Sequence, residues 1–174
     1  MTLRAWSLSD ADAVAASIDG DRKMSEFLDR VPQPYTRDDA IAYVTHCMES
    51  WRTGANSNFA VLVAGIETPV GSIGIHWEQI DEGIAEIGYW MGAIARERGA
   101  TSAGVRLAAR WAFEAEPALQ RLELRADVEN AASNRVAEKA GFVREGVIRA
   151  ARWNARLGRR VDFVLWSLLR EELD

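Results

Sequence analysis

Hydrophobic and polar positions along the chain follow two rhythms. Short apolar or alternating runs bounded by turn residues predict strands at residues 3–6, 59–64, 70–77, 84–91 and 121–126, with two closing strands at 142–148 and 160–168. Elsewhere the apolar residues recur three and four apart. Thr36 opens such a helix with Asp39 at its third position, and Ile41, Val44, Met48 and Trp51 line one face. Ser9, with Asp12 three residues on, reads as the cap of an earlier helix. Residues 102–114 are rich in helix formers, among them Val105, Leu107, Ala108 and Ala112. Residues 131–140 form a last short helix between Asn130 as N-cap and Gly141 as stop. Residues 20–34, charged and punctuated by proline, read as a loop or short helical pieces, and residues 150–158 as a second loop. A strand-rich first half, then strand–helix–strand–helix, then closing strands, predicts an α/β (α+β) fold with a mixed sheet and helices on both faces.

The stretch from Glu86 to Thr101 carries the first chemical hint. A strand ends in a short basic turn containing Gly99, and a helix begins. Such a turn presents unpaired N–H groups and the positive end of the helix dipole, which together bind phosphate. Neither G-x-x-x-x-G-K-[ST] nor G-x-G-x-x-G occurs, so a phosphate-bearing ligand of another kind is expected.

Arg96-Glu97-Arg98-Gly99-Ala100-Thr101 resembles the pyrophosphate motif (Arg/Gln)-x-x-Gly-x-(Gly/Ala) of the GNAT acetyltransferases. Asn130 and Ser133, followed by Glu138-Lys139-Ala140-Gly141-Phe142, resemble the Asn-x-x-Ser and Glu-Lys-x-Gly-Phe hallmarks of the RimJ/RimL-like branch, the ribosomal-protein N-terminal acetyltransferases. The resemblance covers roughly residues 2–170. It implies a GNAT-like, mostly antiparallel sheet of six to seven strands, acetyl-CoA as co-substrate and a possible homodimer. The strand before the phosphate turn would splay from its neighbour, and the pantetheine arm would pair with the backbone of Tyr89, Trp90 and Met91, like an added strand. The amides of Arg98, Gly99, Ala100 and Thr101 would take the pyrophosphate, and Arg96 and Arg98 would add charge, with the 3′-phosphate as one target. Two residues depart from the pattern. Thr101 stands where the family has Gly or Ala, and Glu97 places a negative charge beside the phosphates.

Composition bounds the class. The 174 residues are 48% hydrophobic and 27% charged, which suits one globular domain spanning 1–174. No apolar run approaches the roughly 18 residues of a membrane span. The beginning lacks a leader-like apolar segment, and the one cysteine, Cys47, fits a reducing compartment; a cytoplasmic protein is expected. Two histidines, His46 and His76, make a zinc site improbable, so no metal is expected. The net charge of −5 disfavours nucleic acid and hides an asymmetry. Residues 1–87 carry 6 basic and 14 acidic side chains, whereas residues 88–174 carry 15 basic and 12 acidic. A basic second half suits an anionic co-substrate, and an acidic first half a cationic amine.

Acetyl transfer to an amine needs a base, donors to the oxyanion and support for the leaving thiolate. Glu86 shares a strand face with Gly88 and Trp90, and in an apolar setting its raised pKa would suit a base acting through water; pairing with an arginine is the structural alternative. His76 is the runner-up. Ser133 matches the family serine near the thiol, and Asn130 would both cap its helix and contact pantetheine or order a water. The tyrosine that many family members carry seven residues after this Asn is replaced by Ala137. The expected activity is acetyl-CoA-dependent N-acetylation of a primary amine, foremost a protein or peptide N-terminal α-amino group. The alternatives are a small amine, such as a polyamine, aminoglycoside or amino-acid derivative, and a non-catalytic acyl-CoA-binding module.

Overall fold

Seven strands pair into one sheet: β1 (Thr2–Ala5), β2 (Asn56–Leu62), β3 (Gly71–Gln79), β4 (Ile84–Met91), β5 (Arg121–Asp127), β6 (Val143–Asn154) and β7 (Arg159–Leu169). Their order across the sheet is β1-β2-β3-β4-β5-β7-β6. The computed structural model describes residues 1–96 and 99–173. Among these, β4 and β5 form the parallel pair, and every other pairing is antiparallel.

Helices cover both faces. On one, α4 (Ala100–Ala115) and α5 (Ala131–Lys139) bury Val105, Ala108, Ala112 and Ala137 against Ile73, Ile75, Ile87, Leu122 and Leu124. On the other, α1 (Ala11–Ile18), α2 (Arg22–Phe27) and α3 (Arg37–Thr53) bury Val14, Ile18, Met24, Val44 and Cys47, with Trp6 and Trp90 beside them. The alternation of β4 explains the division: Ala85 and Ile87 point to the first core, Trp90 to the second.

Local signals set several boundaries. Thr36 and Asp39 close a reciprocal capping box at α3, with the Asp39 amide donating to Thr36 Oγ1 at 3.2 Å. Asn130 caps α5, accepting from the Ser133 amide at 3.0 Å. Other expectations are corrected. Ser9 does not start the first helix. The chain turns earlier, in a 3-10 turn at Leu8–Asp10, where the Ser7 amide donates to Asp10 at 2.9 Å and Arg4 grips the same carboxylate at 2.7 and 2.8 Å. The buried stripe of α3 is Ala40, Val44, Cys47 and Ser50, and Met48 faces solvent, because the helix turns a neighbouring column of residues to the sheet. Residues 150–154 belong to β6, which runs past the expected loop through two register shifts on an exposed edge.

Residues 20–34 and the β6–β7 hairpin meet. Asp29, almost fully buried, approaches Arg152 at 2.9 Å as a charge contact outside hydrogen-bonding alignment. The Ala155 amide donates to the other Asp29 oxygen at 3.0 Å, and Arg156 donates to the Val31 carbonyl. Arg152 also lies over the Phe163 ring, 5.3 Å from its centroid.

Candidate active site

The ladder between β4 and β5 stops early. Ile84, Ala85 and Glu86 pair with Arg121, Leu122 and Glu123, and no pairing continues beyond, although β4 runs on to Met91 and β5 to Asp127. The strands diverge into a wedge that leaves one edge of β4, residues 87–91, without a strand partner on that side. Unpaired main-chain groups there can take an extended ligand in ladder fashion. The side chains of Trp90 and Met91 are committed elsewhere. The Trp90 indole donates to Tyr43 Oη at 3.1 Å and stacks 6.4 Å from Trp6, and Met91 is buried in the sheet–helix core. Their backbone alone borders the wedge.

Beyond β4 the chain reaches Gly99, which adopts φ +71° at the N-cap of α4; a β-carbon there would be strained by its own backbone, though no neighbour would touch it. Among the described residues no side chain caps α4, whose first amides stand at the positive end of a 16-residue helix and can face an anion. Ala100 and Thr101 form its first turn. Arg98 and Glu97 lie outside the described residues. Arg96 is engaged differently from the expectation of a free phosphate ligand. Its guanidinium forms two hydrogen bonds to Asp21 at 3.1 and 2.6 Å, and its Nε donates to the Met91 carbonyl at 2.8 Å. Burial opposes charge on Asp21, yet Arg96 and the Met24 amide hold its carboxyl below the usual range. Arg96 therefore fastens the end of β4 to the N-terminus of α2 and has less to offer a phosphate.

Glu86 lies where the wedge begins. It faces a cavity of about 170 Å³ lined by His76, Glu78, Gln79, Ala85 and Arg125 as well. Arg125 Nη1 sits 3.3 Å from Glu86, and Arg125 also bonds Glu123 at 3.0 Å. Burial pushes the Glu86 carboxyl up despite the opposing charge of Arg125. The carboxylate remains two-fifths exposed, so water reaches it. Both readings of Glu86 thus coexist, a cavity carboxylate of raised pKa and an arginine partner. His76 is directly opposite Glu86 in the β3–β4 ladder, which puts the two candidate bases side by side. Between Glu86 and Trp90 the same face is bare, because Gly88 pairs with Gly74. Gly74 leaves room for Asn58: a β-carbon would come within 2.3 Å of Asn58 Oδ1, so that buried side chain would have to shift.

Ser133 and Asn130 stand across the wedge, on the α5 side. Asn130 Oδ1 is occupied by the Ser133 amide. Asn134, next along, donates to the Asp127 and Asn130 carbonyls at 2.9 Å each and accepts from the Trp166 indole at 2.9 Å, so the entry to α5 is pinned to β5 and β7. The Tyr89 hydroxyl lies 2.7 Å from Ser133 Oγ. Sequence reasoning assigned only the Tyr89 backbone. The available signal was alternation: Tyr89 follows Ala85 and Ile87 onto the buried face, where a phenol requires a polar partner.

A mixed sheet split between two parallel strands, with a helix N-terminus after the first, is a framework on which an extended, phosphate-bearing ligand can lie. Residues 1–143 match the acetyltransferase (GNAT) domain, and the chain belongs to that family of acyl-transferring enzymes. It is 26% identical over 172 residues to the uncharacterised N-acetyltransferase p20 of Bacillus licheniformis, covering 99% of this chain and 94% of that protein. It is 38% identical over 88 residues to YdaF of Bacillus subtilis, provisionally described as a ribosomal N-acetyltransferase, covering 51% and 46% of the two chains. Among solved structures, the ribosomal-protein-S5-alanine acetyltransferase of Vibrio fischeri is similar with a TM-score of 0.84 at 18% identity, covering 99% of this chain and 94% of that one.

Proposed function

We propose that this protein is an acetyl-CoA-dependent N-acetyltransferase acting on the N-terminal α-amine of a polypeptide. The wedge between β4 and β5 carries the reading, since it leaves residues 87–91 without a strand partner on that side and leads to the first amides of α4. The pantetheine amides would pair with β4, and the pyrophosphate would sit on Gly99, Ala100 and Thr101. Glu86 would take the amine proton through water, with His76 beside it, and Ser133 would face the leaving sulfur.

Family membership supports acetyl transfer. The polypeptide acceptor is supported by the ribosomal descriptions of YdaF and the Vibrio fischeri structure, and by the 14 acidic against 6 basic side chains in residues 1–87, the half of the sequence that includes Glu86. Thiol release from acetyl-CoA, followed with a panel of N-terminal peptides, polyamines and amino-acid derivatives, is the test. Turnover with peptides is expected to exceed that with small amines at least tenfold. Preference for a small amine would replace the acceptor, and tight acetyl-CoA binding without any turnover would leave a binding module.

A further inference from the structure

Ala137, fully buried one turn after Ser133, leaves α5 without a phenol of its own. A phenol reaches the same place from another element. Tyr89 projects from β4, and its one hydroxyl proton has two acceptors within reach, Ser133 Oγ at 2.7 Å, where either oxygen could donate, and the Ser133 carbonyl oxygen at the longer 3.3 Å. This contact joins the two elements that face each other across the gap left where β4 and β5 cease to pair. Ser133 is therefore held twice, by Asn130 at its amide and by Tyr89 at its side chain.

We propose that Tyr89 is a positioning residue for the leaving thiol: its O–H donates to Ser133 Oγ and leaves the serine proton free to point into the wedge. Of two hydroxyls in contact, the phenol is the stronger acid and the better donor. Burial pushes the Tyr89 hydroxyl up to about 12, so it keeps its proton under working conditions. A serine that accepts from Tyr89 is polarised and donates more strongly in turn. The proposal rests on the acetyl-CoA reading above. As the carbon–nitrogen bond forms, the carbon–sulfur bond breaks and its electron pair leaves on sulfur. Ser133 meets that charge with a hydrogen bond, the amine proton leaves toward Glu86, and solvent reprotonates the thiolate. Tyr89 keeps its proton throughout.

The test compares CoA with desulfo-CoA by titration calorimetry at a pH about one unit above the ordinary thiol range near 8.5, where the thiolate dominates and no acceptor is needed. The wild-type protein should favour CoA by roughly tenfold or more, the scale of one hydrogen bond to a charged group. Tyr89→Phe keeps the ring that fills the space and should lose most of that preference. Ser133→Ala should lose as much, and the double variant no more than either. In turnover, Tyr89→Phe should lower kcat about 3- to 30-fold with little change in the acetyl-CoA KM, the pattern of an interaction made in the transition state. CoA binding with the same preference in wild type and Tyr89→Phe would overturn this inference alone. A Tyr89→Phe loss that persists undiminished on Ser133→Ala would also overturn it, because the phenol would then act on sulfur directly. Failure of the wild-type protein to bind CoA at all would remove the acetyl-CoA reading and the inference with it.

Discussion

Asp21 holds two pieces of structure at once, and a pair of substitutions separates them. Its carboxylate caps α2 by accepting from the Met24 amide at 3.0 Å, and it receives two hydrogen bonds from Arg96. Loss of a cap costs about 1 kcal/mol. Loss of a charge-assisted pair that leaves a mostly buried guanidinium unmatched costs about 1.5–3 kcal/mol. Asp21→Ala should therefore destabilise by about 3 kcal/mol. Asn is as good a cap as Asp, so Asp21→Asn should cost about 1.5–3 kcal/mol, the ion-pair share alone. Urea denaturation with an unchanged m-value reads both. Arg96→Gln should cost a similar amount, and the double variant Asp21→Asn with Arg96→Gln should fall short of the sum by about 1 kcal/mol or more. The pH dependence gives a separate sign. A carboxyl held below its unfolded value contributes stability that is present above pH ~4 and lost as pH falls through the folded pKa, so Asp21→Asn should flatten the acid limb of stability. Additive losses with an unchanged acid limb would refute the coupling.

Glu86→Gln should lower kcat roughly 10²- to 10⁴-fold with little change in acetyl-CoA affinity. Because the Glu86 carboxyl is raised, the acidic limb of wild-type kcat should lie above the ordinary glutamate range and vanish in the variant; a retained limb would move attention to His76. Gly99→Val, forced to φ +71°, should weaken acetyl-CoA binding about tenfold by calorimetry, and unchanged affinity would separate the turn from the phosphate. Gly74→Ala should lower the thermal midpoint by several degrees, since its β-carbon meets Asn58. Gly88→Ala, whose β-carbon approaches only His76 at an ordinary 3.6 Å, should leave the midpoint nearly unchanged, and equal shifts in the two variants would contradict the packing argument.

Elements with strong local chemistry were legible in the sequence. The bounds of β4, the capping box of Thr36 and Asp39, and the stop at Gly141 depend on neighbours within a few residues, and the chain states them openly. The wedge was legible only through the family resemblance, because periodicity cannot tell where two strands part. The pairing of Arg96 with Asp21 was hidden because the two stand 75 residues apart. Tyr89 and Ser133 are 44 residues apart, and nothing local announces their meeting. The length of β6 was hidden for another reason. Most of its side chains face solvent on an edge strand, Val143, Val147, Ile148 and Trp153 among them, so no alternation of buried and exposed positions marks its length.

The clasp of Asp29, Arg152 and Arg156 spans about 125 residues of chain. Closing so long a loop carries an entropy cost that nearby contacts do not bear, so this clasp is expected to form after the β6–β7 hairpin it rests on. It is also expected to open before those strands, because it rests on a few polar contacts over an exposed hairpin and not on the main core. The backbone amides of residues 155–157 should therefore exchange with solvent through local opening while those of β4 wait for the whole sheet to come apart. That pattern of exchange would mean that residues 28–31 can part from the hairpin, and close again, without disturbing the strands that carry the candidate site.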